Sequence, residues 1–176
     1  MCERKQLGVL QMKTIYSEKL VRILKNKKRL QELLNVKISN KGRDVTVEGE
    51  AEDEYIAEKV IEAINFGFPY STAISIKVND NDFEVVNIKD YTKRKDLAIV
   101  KGRIVGKKGK TIQTISLLTN CSFEIKDNLV GIIGQPEYIK NAQEAISSLI
   151  RGSKQANVYT RLEKEHYKEP VDLGFK

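Results

Sequence analysis

The chain has 176 residues, 40% of them hydrophobic, with three prolines and a formal net charge of +7. That fits one large domain or two small ones of about 50 to 90 residues each, and excludes long disordered linkers. Two cysteines, Cys2 and Cys121, are too few for a disulfide framework or a zinc cluster, and no run approaches the roughly 20 apolar residues of a bilayer span.

A cytoplasmic protein in a reducing compartment is therefore expected, without a membrane segment or signal peptide. The charge is localised. Residues 93–110, KRKDLAIVKGRIVGKKGK, hold eight basic residues and one acid, so this window carries +7 and the remainder sums to zero. A focused basic patch points to a polyanion, the plainer alternative being a solvated lysine face.

In chain order, QMKTIY at 11–16 reads as a strand. SEKLVRILKNKKRLQELLN follows with helical spacing of Leu20, Ile23/Leu24, Leu30 and Leu33/Leu34. VKISN and DVTVEG alternate as strands around a tight hairpin at Lys41-Gly42. EDEYIAEKVIEAINFG is a long helix whose first turn carries acids that suit the macrodipole, and Gly67 ends it. The segment FPYSTAISIKVNDND has no flexible tract, so the flanking units are expected to pack together.

The same order then repeats. FEVVNIKDY at 83–91 is strand-like, LAIVKGRIVG and KTIQTISLLTN form helix–loop–helix, and CSFEI and LVGII are strands. PEYIKNAQEAISSLIRG is a helix with Pro136 at its start and Gly152 at its end. Strand-end to helix-end glycines are 18 residues apart in both copies, Gly49 to Gly67 and Gly134 to Gly152. Residues 17–67 and 95–152 are two copies of one unit, β-α-α-β-β-α. The fold class is α+β, with three antiparallel strands backed by three helices in each unit. The expected division is 9–68, a connector at 69–82, 83–152, and a C-terminal extension at 153–176.

Gly106 and Gly109 bound a turn with Lys107 and Lys108 inside it. Glycine at both ends lets the backbone approach a sugar-phosphate chain closely. Gly109 opens a helix whose N–H groups and dipole favour a phosphate. Lys101, Arg103 and Lys110 add charge, and Thr111 and Gln113 are polar residues that meet a backbone or nothing. Ile104, Val105, Ile112 and Phe123 or Ile125 are the candidate walls of an apolar groove for unpaired bases, although some of them must face the core. An ordinary helix–helix turn is the plainer reading of the glycines, but it requires no ring of lysines. The first copy has no glycine at the equivalent place, whether that is Val21–Leu24 or Lys25–Lys28. It still shows Lys19, Arg22, Lys25, Lys27, Lys28 and Arg29 with no acid from 19 to 29, either a diffuse basic surface or a structural half that docks a protein.

The order helix, G-x-x-G, helix, strand, strand, helix, with RIVGKKGKTIQTIS at its centre and IRGSKQANVY after the last helix, resembles type I KH domains. Over roughly residues 10–165 the chain is similar to the archaeal branch of the small-subunit ribosome-assembly KH proteins, the partner-of-Nob-one family, which is related to the Krr-one factors. The resemblance implies two KH domains with a divergent first one. It implies binding of single-stranded rRNA near the 3′ end of the small-subunit RNA through Gly106, Lys107, Lys108 and Gly109, with Lys110 and Arg103 flanking. It also implies partners, the processing endonuclease and a translation initiation factor subunit.

Catalysis has little support. His166 is the single histidine and lies in a charged tail. Glu52, Asp53 and Glu54 are helix-start acids, and Gly109-Lys110-Thr111 fails as a Walker loop because position 104 is Ile104. No cofactor or metal set is expected. The second class of function is a KH-fold protein scaffold with RNA incidental. In the tail, Tyr159, Tyr167 and Phe175 stack on RNA or dock a partner, or else 153–162 packs on the first unit with the rest loosely ordered.

Overall fold

The computed structural model describes residues 13–166, and the chain divides into two compact units between Val78 and Asn79. The expectations concerning Cys2, residues 11–12, the His166 side chain, Tyr167 and Phe175 lie outside the described residues.

The first unit runs β1 (Lys13–Tyr16), α1 (Leu20–Lys25), α2 (Lys27–Leu34), β2 (Lys37–Lys41), β3 (Asp44–Glu48) and α3 (Ala51–Phe66). The supposed connector adds two single turns of helix, α4 (Tyr70–Ala73) and α5 (Ser75–Val78). Its strands lie in the order β1-β3-β2, all antiparallel. Alternation works as read: Val45 and Val47 of β3 and Ile38 of β2 are buried, with β3 packed on α3, whose Ala57, Val60, Ile61 and Ile64 are buried, and β2 packed on α2. The hairpin turns on two residues, Gly42-Arg43, with Lys41 opposite Asp44 and Gly42 at φ 61°.

The long leucine-spaced helix is broken in two at Asn26. Five polar residues, Lys25 to Arg29, separate Leu24 from the next apolar anchor at Leu30, so nothing pulls that stretch into the core. Asn26 Nδ2 instead donates to the Arg22 carbonyl at 3.0 Å, and its N–H to the Ile23 carbonyl at 3.1 Å. Of the two places considered for the first unit's loop, the chain thus turns at Lys25–Lys28.

The acids that open α3 do more than meet a dipole. Glu54 is buried and accepts from the Gly49 N–H at 3.0 Å. Asp53 accepts from Lys77 Nζ at 2.9 Å and from Asn35 Nδ2 at 3.0 Å, tying α3 to α5 and to the end of α2. These two bonds hold the Asp53 carboxyl below the usual carboxylate range.

The second unit runs β4 (Asp82–Asn87), a 3₁₀ turn (Ile88–Tyr91), α6 (Leu97–Val105), a second 3₁₀ turn (Lys107–Gly109), α7 (Lys110–Thr119), β5 (Ser122–Lys126), β6 (Leu129–Gly134), α8 (Pro136–Arg151) and α9 (Gln155–His166). Strand order is β4-β6-β5, again antiparallel. The strand expected over 83–91 stops at Asn87, whose side chain accepts from the Lys89 N–H at 3.1 Å and turns the chain. Val100, Ile104, Ile115, Val130, Ile132, Ile146 and Leu149 form the core, and Val158 and Leu162 of α9 are buried in the same cluster. For the expectation over 153–162, the finding is that α9 lies on α7 and α8 of its own unit. No helix among the described residues is long and apolar enough to cross a membrane.

Asp53 supplies a test of the first unit. Because its carboxyl titrates lower in the folded chain than the roughly 3.9 of an unfolded aspartate, its contribution is complete above that value and is lost as pH falls through the folded one. Asp53→Asn should lower unfolding free energy by about 1 kcal/mol at pH 7. In urea titrations the gap to the wild type should shrink below about pH 4.

Candidate nucleic-acid interface

The bend between α6 and α7 takes backbone conformations that side chains resist. Gly106 sits at φ 74°, ψ 175°, Lys108 at φ 56°, ψ 30°, and Gly109 at φ 77°, ψ 6°. The first belongs to a region essentially reserved for glycine. A Cβ at Gly106 would also stand 2.0 Å from Thr111 Oγ1 and 2.8 Å from the Thr111 nitrogen. The chain therefore doubles back on α7 with no room for a methyl. A Cβ at Gly109 would meet only Gln113 Nε2, at 3.8 Å, so that glycine answers to its φ alone.

The doubling-back directs the loop charges outward. Lys107, Lys108 and Lys110 are exposed, and Lys101 is half-buried. The one acid in this basic window, Asp96, accepts from the Ala98 N–H at 2.9 Å as the N-cap of α6. At the start of α7 the N-cap is Gly109, with no side chain closing the first turn. Backbone N–H groups and ammonium groups thus lie together at one helix end, an arrangement suited to a phosphate.

Beside the loop, α7 and the edge strand β5 enclose an open cleft of ≈ 390 Å³ lined by Ile112, Gln113, Ser116, Leu117 and Phe123. Leu117 is 78% exposed. Ser116 Oγ donates to the Cys121 carbonyl at 2.6 Å, fixing α7 to the start of β5. Cys121 is buried, its thiol pushed up to about 11 by that burial, and it packs where a Cβ on Gly134 would come within 2.5 Å of its sulfur. It is a packing residue.

Several expected site residues hold other posts. Ile104 is fully buried in the core and cannot be a groove wall. Thr111 is 2% exposed, pressed beneath Gly106, so it shapes the loop and is closed to a ligand. Val105 and Ile125 are half-buried, Ile125 packing against the core cluster, and neither lines the cleft. Arg103 turns toward α8, its Nη1 2.9 Å from where a Cβ on Gly152 would stand. Ile112 and Phe123 do line the cleft, while Leu117 and Ser116 were not foreseen. At 100° per residue Leu117 falls opposite the stripe of Ile112, Ile115 and Leu118, so the signal for its outward position was present in the helical spacing. Among the described residues, no cluster of His, Cys, Asp and Glu could hold a metal ion.

A family profile for the second KH domain of PNO1 proteins, described as a eukaryotic-type KH domain (KH-domain type I), matches residues 82–167. This segment is a type I KH domain. A KH domain-containing protein of Methanocaldococcus jannaschii is 34% identical over 113 residues, 64% of this chain and 50% of that protein. The RNA-binding protein pno1 of Dictyostelium discoideum is 33% identical over 110 residues, 60% of this chain and 46% of that one. The chain thus spans about half the length of the curated relatives it matches. Among solved structures, Dim2p of Pyrococcus horikoshii superposes with a TM-score of 0.80 at 26% identity, over 88% of this chain and 99% of that one. A chain in an a/eIF2alpha–aDim2p–rRNA complex from the same organism gives 0.83 at 26% identity, over 93% and 98%.

The two loop glycines of the KH domain should respond differently to alanine. Gly106→Ala combines a glycine-only conformation with the Thr111 clash and should cost about 2–3 kcal/mol. Gly109→Ala, with open space around it, should cost about 1 kcal/mol. Urea unfolding followed by circular dichroism distinguishes them, and equal losses would contradict the geometry.

Proposed function

We propose that this chain binds single-stranded RNA through the KH domain at 82–167, with the small-subunit rRNA near its 3′ end as target during ribosome assembly and pre-rRNA processing. The observation that carries the reading is the junction of three features. These are a loop with three positive-φ residues, exposed lysines beside a helix start without a side-chain cap, and an apolar cleft alongside. The loop and helix start suit a phosphate, and Ile112, Leu117 and Phe123 offer apolar surface to an unstacked base. A paired base cannot reach such a cleft, which favours single strands. Relatives named as RNA-binding and pre-rRNA-processing proteins, and one crystallised with rRNA, support the assignment.

The first unit we read as a second, divergent KH domain, on its identical element and strand order. Its turn at Asn26 has φ −110°, and residues 25–28 lack a glycine and any positive φ. It is therefore assigned to protein contact. Val21, Leu24 and Leu33 are exposed apolar residues on its helices, and a relative crystallised with a/eIF2alpha supports a translation initiation factor subunit as one partner. A processing endonuclease is the other. On this reading the protein presents the rRNA 3′ end to that nuclease, or shields it, and itself supplies no catalytic group. The scaffold alternative, with RNA secondary, rests on the same exposed apolar residues.

Lys107→Asp with Lys108→Asp should abolish binding to a short oligonucleotide from the small-subunit rRNA 3′ end while the melting temperature is retained. With two to four phosphates engaged, log K should fall against log salt with a slope of roughly −1.4 to −2.8. Unchanged affinity in the double variant would remove the RNA reading. A partner that co-purifies independently of RNA and salt would favour the scaffold.

A further inference from the structure

We infer that the polar cleft between α8, α9 and the turn at Ile88–Tyr91 is a second RNA contact, holding a backbone phosphate outside the single-strand groove. The inference rests on the RNA reading above and concerns a different face of the same domain. The cleft measures ≈ 490 Å³ and its lining includes three cations, Lys140, Arg151 and Arg161, against one carboxylate, Glu144. The Arg151 guanidinium lies over the Tyr91 ring, 5.4 Å from its centroid. That contact restrains a long side chain before any ligand arrives, which lowers the ordering cost of binding.

Arg161 stands beside Glu165 without hydrogen-bonding it. They form a loose ion pair, Nε to Oε1 at 3.9 Å, and Arg161 Nε and Nη2, like Glu165 Oε2, are buried without a hydrogen-bond partner among the described residues. A guanidinium with unmet donors beside two further cations is matched by the oxygens of a phosphodiester. The cleft offers a base no comparable seat, because the aromatic ring in its lining is already covered by Arg151.

Position favours the same nucleic acid over an acidic protein. Gly152 follows Arg151 directly, and the Arg103 guanidinium lies against it; Arg103 is three residues before Gly106. Gln155 at the start of α9 donates to the Arg103 carbonyl at 3.3 Å, holding the two segments together. A row of cations therefore leads from the KH loop to the cleft. Exposed Lys93, Arg94 and Lys95 follow Tyr91 within four residues of chain. Strand leaving the groove, or a duplex beside it, would meet this row by its phosphates, without regard to sequence.

The test compares two RNAs on the full chain: one of about four nucleotides, filling only the groove, and one of the same sequence extended by a flanking hairpin. Lys140→Glu with Arg151→Gln changes exposed residues, and Arg161→Lys keeps charge but removes the fork. Both variants should bind the short RNA as the wild type does and the extended RNA about fivefold to tenfold more weakly; the charge-removing double variant should also show a salt slope shallower by roughly 0.7–0.9 for each phosphate lost, while Arg161→Lys keeps the wild-type slope. Equal weakening on both RNAs, or none on the extended one, overturns the inference. So does loss of polyglutamate binding with extended-RNA affinity intact, which would make the cleft a protein dock. A wild type that binds short and extended RNA with one affinity and one slope overturns the inference alone. A wild type that binds neither removes the RNA reading beneath it.

Discussion

The contact between Gly106 and Thr111 sets the geometry on which the rest of the site depends. It brings the end of one helix against the first turn of the next closely enough that a methyl group would overlap Thr111 Oγ1. Three consequences follow from that closeness. The intervening lysines cannot fold inward, because the space beneath them is filled. The first turn of α7 is left with a glycine N-cap, so its N–H groups have no side chain to satisfy them. And α7 is placed beside the edge strand β5 so that Leu117 stands out over the cleft between them. Cationic charge, backbone donors and apolar surface are thereby assembled along one line, which is the order in which a nucleotide chain presents phosphates and bases.

The first unit shows what the same topology does without that contact. Its strands and helices follow in the same order, yet the helices meet at Asn26, where ordinary dihedrals and a 3₁₀-type bond replace the left-handed bend. Its basic residues also behave differently from the loop lysines. Lys19 Nζ donates to the Phe66 carbonyl at 3.3 Å, and Arg22 Nη1 to the Gly67 carbonyl at 3.0 Å. Both cations satisfy the carbonyl end of α3, where the helix dipole is negative. Counting basic residues from 19 to 29 therefore overstates the charge this unit can offer an anion. Its lysines and arginines serve its own fold in part, whereas the lysines of the second unit's loop face water.

Element order was legible in the sequence because it rests on periodicities that survive packing. Strand alternation at Val45 and Val47, the two-residue hairpin at Gly42, and the Pro136 and Gly152 helix ends are each determined within a few residues. The placement of individual side chains was less legible, for a definite reason. Ile104, Val105 and Ile112 flank one loop, and helical spacing groups them without saying which of several faces meets the sheet. Only the path of β5 and β6 across the helices decides that Ile104 is core and Ile112 is cleft. For Thr111, a polar side chain just after G-x-x-G, the sequence leaves open whether it meets a backbone or nothing. Its true function, to fill the space under a glycine, needs the φ and ψ of Gly106 to be known. The break at Asn87 hinged on a single side-chain cap inside a segment of high strand propensity, and the break at Asn26 on the lack of an apolar anchor. Such local bonds compete with periodicity and leave little trace in it.

The same reasoning explains why α9 belongs to the KH domain in a physical sense. Its residues are mostly polar, and by composition 153–166 resembles a loose tail. Two apolar side chains one turn apart, Val158 and Leu162, suffice to seat it on α7 and α8, because four-residue spacing puts both on one face. Burying them contributes on the order of 1.5–3 kcal/mol each, enough to hold a short helix that could not persist alone. Once seated, α9 brings Arg161 over α8 and its first residue, Gln155, against the carbonyl of Arg103. The helix that looks like an appendage thus braces α6 and α7 from behind, the two helices whose junction forms the loop. Loosening α9 should reach the loop through Arg103 and Gly152 without touching either glycine of the bend.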